Sequence, residues 1–336
     1  MRAYVMDGPG SGRVASVDDP QLGPYDALVQ MQVCGICSST DRMLRQGTFA
    51  GVQFPSILGH EAVGRLVEVG SKVRTLTLGT LVTRPSAYQP DRAPMNMHWG
   101  GMAEYGVVTD WRAWQQDHPD QDSPARFNQV YFPADADPEL VSLSISLSET
   151  YSVACRENLL GKTVAVVGTG IAGLSFMTYA KLLGAAHVIG VGRRRERLDL
   201  ARQFGADDTE LSTDDDSNLR IKASGVDVCF EASGAPAMIE PAYNWLKRGG
   251  RMVIYSASDS ASTVNLWSSP RDAALLVAST NEAAVLPQVY RMAVCGLLRT
   301  DLLITDRYPF GDAARAFADI DAHGGTVKAL LTFGQD

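Results

Sequence analysis

The apolar run Thr163-Val164-Ala165-Val166-Val167, followed directly by Gly168-Thr169-Gly170-Ile171-Ala172-Gly173, constrains this chain more than any other feature. An unbroken apolar pentapeptide suits a strand buried on both faces of a parallel sheet. Glycines at the first, third and sixth places of the turn let the backbone approach a pyrophosphate. A helix starting near Ala172 then offers unpaired N–H groups and a favourable dipole. Such a turn alone is weak evidence. Between a strand and a helix it reads as a dinucleotide site formed by Gly168, Thr169, Gly170, Ile171, Ala172 and Gly173.

The alternation continues downstream. His187-Val188-Ile189-Gly190-Val191 reads as a strand ahead of a charged helix over about 196–204, and residues 226–230 and 250–255 read as further strands. Units of this kind build a doubly wound parallel sheet. Before about residue 146 the character differs. Segments 27–33, 62–70 and 101–108 read as short strands separated by turn residues, with no helical period of any length in the first 110 residues. That region is expected to be mostly β, as a partly closed barrel. A helix over about 312–320 and a strand over 326–333 close the chain and are expected to return to the first domain. Residues 115–128, rich in Gln, Asp and Pro, read as a surface loop.

The length of 336 residues suits two domains. A net charge of −8, without a large basic patch, argues against a nucleic-acid partner. No apolar stretch approaches the roughly 20 residues that span a bilayer, so no membrane partner is expected. Five scattered cysteines make no disulfide framework and no secretory signal is read, so a cytoplasmic location is expected.

An NAD site would end its second strand in a carboxylate for the ribose hydroxyls. The residue at that place is Gly192, followed by Arg193, Arg194 and Arg195. A small residue leaves room for a 2′-phosphate, and a guanidinium pairs with it through two hydrogen bonds. NADP(H) is therefore favoured over NAD(H). The other reading of these arginines is a solvated helix start.

Cys34-Gly35-Ile36-Cys37 lacks the second Cys or His pair of a zinc knuckle. The stronger signal is its combination with Gly59-His60-Glu61-Ala62-Val63-Gly64. With residues 100–107, the glycine-turn segment and Leu303-Ile304-Thr305-Asp306-Arg307-Tyr308-Pro309-Phe310, these motifs run in order along nearly the whole chain. It resembles the zinc-dependent medium-chain dehydrogenase/reductase family of alcohol, sorbitol and glucose dehydrogenases. The resemblance implies an α/β fold: a GroES-like, mostly-β catalytic domain (1–145 and 278–336) and a doubly wound Rossmann domain (146–277). It places zinc ligands at Cys37, His60 and Glu149, with Glu61 beside the metal or an occasional direct ligand. One position is left for water or a substrate oxygen, as catalytic zinc requires. Cys34 is then a bystander.

Two departures from the family pattern matter. Cys37-Ser38-Ser39-Thr40-Asp41 is one residue longer than the usual order, so either Ser39 or Thr40 is the hydroxyl that passes the substrate proton; Ser39 fits ungapped counting. Residues 84–100 hold no cysteine where many relatives carry four, so one catalytic zinc and no structural zinc are expected. Met95-Asn96-Met97-His98-Trp99 in that stretch is expected to edge the substrate cleft, with His98 either a proton acceptor or an ordinary loop histidine. The 111–128 segment, longer than in most relatives, contacts substrate or a partner subunit, or is a solvated insertion.

The implied activity is hydride transfer between NADP(H) and a secondary alcohol or ketone, on a polyol, sugar or aminocyclitol, by a homo-oligomer (dimer or tetramer). Two rival readings are a zinc-free quinone or enone reductase of the same superfamily and a catalytically inactive nucleotide-binding relative. Neither needs the Cys37, His60 and Glu149 set.

Overall fold

The computed structural model describes residues 1–87, 96–121, 129–258, 260–265, 267, 270–323 and 325–334. The chain divides into two compact units, Met1–Ile145 with Thr300–Asp336, and Ser146–Arg299. The return to the first unit thus lies at Thr300, later than the expected 278. Residues 278–299, including the helix Glu282–Val294, fall in the second unit.

The first unit is organised by the strand Asp26–Ile36, whose burial alternates until its last four residues, all buried. One edge pairs with Glu61–Val69. The other is shared by two strands, Tyr105–Thr109 along its first half and Lys328–Thr332 along its second. The C-terminal tail therefore completes the sheet, with Ala329 opposite Ile36. A four-stranded sheet runs in the order Gly12–Ser16, Arg2–Met6, Ser56–Ile57, Asn96–Met97. Its core includes Tyr4, Met6, Met31, Leu44, Phe310 and Phe317.

Among the described residues, two seven-residue helices, Thr40–Gln46 and Trp111–Asp117, interrupt the N-terminal part of this unit, and a longer one, Ala313–His323, lies in its C-terminal part near the expected 312–320. The first corrects the expectation of a helix-free start. Seven residues make two turns, too few for an apolar period to declare itself, and only Asp41, Met43 and Leu44 are buried. The second converts the start of the expected 115–128 loop into helix; residues 122–128 lie outside the described residues.

In the second unit six parallel strands run in the order Asp208–Leu211, His187–Gly192, Thr163–Val167, Val226–Glu231, Leu246–Ile254, Ala274–Val277. The direction of winding reverses between Thr163–Val167 and Val226–Glu231, the place where such sheets open a crevice beyond their carboxyl ends. Val164 to Val167 are at most 1% exposed, as their unbroken apolar run requires. Phe176 stacks on Phe230 with centroids 4.4 Å apart, pinning the helix Ile171–Leu182 to the sheet. Among the described residues no helix is long and apolar enough to cross a membrane.

Candidate active site

Cys37 follows the end of the strand Asp26–Ile36, and His60 immediately precedes Glu61–Val69. Because those strands pair with Gly35 opposite Glu61, all three functional side chains leave from one end of one ladder. A Cβ on Gly35 would lie 2.3 Å from Glu61 Oε2, so only glycine admits the carboxylate here. The ligand atoms of Cys37, His60 and Glu61 lie within 4.8 Å of one another.

A thiol, an imidazole and a carboxylate at this separation form a donor set that suits zinc. The surroundings of His60 give an independent test. Its Nδ1 lies 3.4 Å from Asp41 Oδ1, and both atoms are buried without a hydrogen-bond partner. A coordinated imidazole typically turns its other N–H to a carboxylate, which is what this facing pair provides. Asp41 Oδ2 also accepts from the Cys37 N–H at 2.8 Å, so one buried carboxylate orients two of the three donors. Burial works against a charged imidazole, but Asp41 and then Cys37 hold the His60 pKa well above its ordinary value. Asp41 therefore faces the imidazole as a carboxylate partner, on the side of the ring away from Glu61.

Glu61 is fixed from behind. Lys328 Nζ donates to Glu61 Oε2 at 2.5 Å and to Ile36 O at 3.3 Å. Burial opposes the ammonium charge, yet Glu61, then Cys37, raise the Lys328 pKa above its usual range. Ser142 Oγ donates to the Glu61 carbonyl at 2.7 Å. Lys328 was not among the expected site residues. A lone charge inside the apolar strand Lys328–Thr332 was the signal for it. Cys34 is fully buried, and its thiol is pushed well above the ordinary range by burial, then by Asp41 and Glu61.

Ser39 caps the helix Thr40–Gln46 without a side-chain capping bond, and Thr40 N–H donates to Cys37 Sγ at 3.4 Å. Both residues are half-buried. Trp99 stands against His60 with ring centroids 5.1 Å apart. His98 Nε2 accepts from the Gln53 N–H at 3.2 Å, and burial lowers its pKa. Met95 lies outside the described residues.

Glu149 belongs to the second unit, on the helix Pro138–Ala154, where Tyr255 Oη donates to its Oε2 at 3.1 Å. The glycine turn is also there. A Cβ on Gly173 would lie 1.9 Å from Gly168 O, so glycine permits the helix to close on the strand. An added Cβ on Gly170 meets nothing within 4 Å, leaving the middle of the turn open to an approaching ligand. At Gly192 a Cβ would lie 2.8 Å from Thr169 Cγ2 and 3.2 Å from Leu198 Cδ2. Arg193, Arg194 and Arg195 are exposed beside it.

Comparison with known proteins identifies the family. Residues 23–118 match the family model described as alcohol dehydrogenase GroES-like domain, and residues 172–279 match that of zinc-binding dehydrogenase. The chain is 32% identical over 254 residues to an NADP-dependent isopropanol dehydrogenase of Entamoeba histolytica, covering 71% of this chain and 69% of that one. It is 28% identical over 334 residues to the L-idonate 5-dehydrogenase of Vitis vinifera, covering 93% and 89%. The solved alcohol dehydrogenase of Thermus sp. ATN1 superposes with a TM-score of 0.82 at 25% identity, covering 99% of this chain and 100% of that one. The chain belongs to the zinc-dependent medium-chain dehydrogenase/reductase family. Within it, the protein is an alcohol dehydrogenase that acts on CH–OH groups with a nicotinamide cofactor.

Proposed function

We propose that this enzyme interconverts a secondary alcohol of a polyol, sugar or aminocyclitol and the matching ketone, using NADP(H) and a single catalytic zinc. The observation that carries the metal half is the cluster of Cys37, His60 and Glu61 with Asp41 behind the imidazole. Cys37 and His60 are the assigned ligands, with Glu149 as the third and Glu61 beside them. Glu149 rests on its place in the sequence. No structural zinc is proposed, because residues 84–100 lack cysteine.

When bound, zinc supplies Lewis-acid polarisation of the substrate oxygen, and the nicotinamide supplies or takes up the hydride. The protein's own residues do the rest. Asp41 orients the His60 ring and the Cys37 backbone, and Lys328 holds Glu61. The hydroxyl of Ser39 or Thr40 carries the substrate proton away. Trp99, packed against His60, limits water beside the imidazole.

The preference for NADP(H) is supported by Gly192, where the carboxylate of an NAD site is missing and a Cβ would crowd Thr169 and Leu198, and by the exposed arginines after it. The E. histolytica relative is by name NADP-dependent. The polyol reading is supported by the L-idonate dehydrogenase relative. A homo-oligomer is supported by the sheet-end strand Ala274–Val277, which is exposed throughout and leaves Leu275, Leu276 and Val277 in solvent.

A panel of alcohols and ketones, followed at the nicotinamide absorbance with NADPH and with NADH, tests the reading. Turnover of polyols with a higher kcat/KM for the phosphorylated cofactor is expected. Equal or better use of NADH would refute the cofactor half. In parallel, Cys37→Ser should lose both zinc and turnover, and a zinc-free wild type with full activity would overturn the metal half.

A further inference from the structure

Glu231 ends the strand Val226–Glu231 and is fully buried. Its Oε1 accepts from the Ser233 N–H at 2.7 Å, the Gly234 N–H at 3.2 Å and the Ser233 hydroxyl, and its Oε2 accepts from the Ser256 hydroxyl. All four donors are neutral. Burying a carboxylate on neutral donors is costly, and several must converge to stabilise the charged form. An asparagine or serine would cap the same turn with less desolvation, so the charge calls for a reason beyond the turn itself.

The neighbours supply that reason. Three strand exits are tied together around this side chain. Ala232 N–H donates to Val167 O at 2.8 Å, one residue before the glycine turn. Tyr255 and Ser256 N–H donate to Glu231 O at 2.9 and 3.2 Å, fixing the exit of Leu246–Ile254. A Cβ on Gly168 would lie 2.8 Å from Ala232 O and 3.0 Å from Ser233 N, so this loop lies flush against the glycine turn. The peptide between Ala232 and Ser233 is planar and trans, with its N–H and C=O opposed. Holding the Ser233 N–H on Glu231 therefore fixes the plane of this peptide, whose O, C and N all lie 2.8 to 3.0 Å from a Cβ on Gly168, so its face is pressed against the glycine turn.

We propose that Glu231 is a positioning residue for the nicotinamide dinucleotide: its carboxylate locks residues 232–234 against Gly168 and so sets the rim on which the pyrophosphate rests. The proposal rests on the glycine turn being the cofactor site. Glu231 itself touches no reacting atom.

The test is Glu231→Gln in the full-length, zinc-loaded enzyme. Glutamine keeps the shape but turns a donor toward groups that are donors themselves. Dissociation constants for NADPH and NADH should both rise about tenfold, with kcat at saturating cofactor within about threefold of wild type. Ser256→Ala, which removes one donor, should shift both constants the same way by about threefold. Arg193→Ala, by contrast, should weaken NADPH alone, which separates the rim from recognition of the 2′-phosphate. Should Glu231→Gln not fold, Ser256→Ala and Ser233→Ala carry the measurement. Variants that melt earlier but bind both dinucleotides within about twofold of wild type would overturn the proposal, leaving a purely structural carboxylate. Failure of the wild type to bind either dinucleotide would instead sink the cofactor reading.

Discussion

Lys328 and Glu61 form a fully desolvated ion pair at 2.5 Å, each 2% exposed, between the C-terminal tail strand and the strand that begins beside His60. Removing one partner of such a pair leaves the other charge buried and uncompensated. Lys328→Met should therefore lower the unfolding free energy by about 3–5 kcal/mol in urea titrations. Lys328→Arg should recover most of that loss. A methionine variant within about 1 kcal/mol of wild type would mean that the pair is not buried in solution.

The cofactor pocket makes a separate prediction at Gly192. Converting an NADP enzyme to NAD commonly means supplying the missing carboxylate, but here Thr169 occupies the space a side chain needs. Gly192→Asp alone should weaken NADPH and NADH together rather than switch between them. Arg193→Ala with Arg194→Ala should raise KM for NADPH by about tenfold and leave KM for NADH within about twofold. Gain of efficient NADH turnover by Gly192→Asp alone would contradict the steric argument.

Asp110 gives the pH dependence. It is 1% exposed and accepts from the N–H groups of Arg74, Thr75 and Ala113 and from the Thr75 hydroxyl, at 2.6 to 2.9 Å. Burial raises its pKa, but these bonds, led by Thr75, outweigh burial and leave it below the ordinary value. A depressed folded pKa stabilises above the unfolded value of about 4 and is lost as pH falls through the lower folded value. Asp110→Asn should thus cost about 1–3 kcal/mol at pH 7, and the gap to wild type should close below about pH 4. A gap constant down to pH 3 would show that the carboxylate's charge contributes nothing.

Much of this architecture was readable because local and global signals agree. Val164 to Val167 needed no partner to declare a buried parallel strand, and the glycine spacing declared the turn and helix after it. The helix Pro138–Ala154 stayed hidden because Ser142, Ser144, Ser146, Ser148 and Ser152 break its apolar period. In place of solvent, several of those hydroxyls meet backbone carbonyls: Ser144 Oγ donates to Leu140 O at 2.7 Å and Ser152 Oγ to Glu149 O at 2.8 Å. Cys37 and His60 were legible from their motifs, whereas the partnership of Glu61 with Lys328 spans 267 positions. No local pattern carries a contact at that range. Tyr255 was read only as a strand residue and Glu231, just past the expected strand 226–230, was not read at all, because what they do depends on which strand ends meet.

Tyr255 offers the last test. Its ring packs edge-on to Phe176 with centroids 5.3 Å apart, and its hydroxyl donates to Glu149 Oε2 at 3.1 Å. One carboxylate oxygen is thereby engaged, and the orientation of the other is restricted. Tyr255→Phe removes that bond and keeps the packing, so stability should fall by only about 1 kcal/mol. If Glu149 is the third zinc ligand, the same variant should bind zinc about tenfold more weakly in chelator competition, and Glu149→Gln more weakly still. An unchanged zinc affinity in Glu149→Gln would remove Glu149 from the metal site. Loss in Glu149→Gln without loss in Tyr255→Phe would keep the ligand and dismiss the tyrosine.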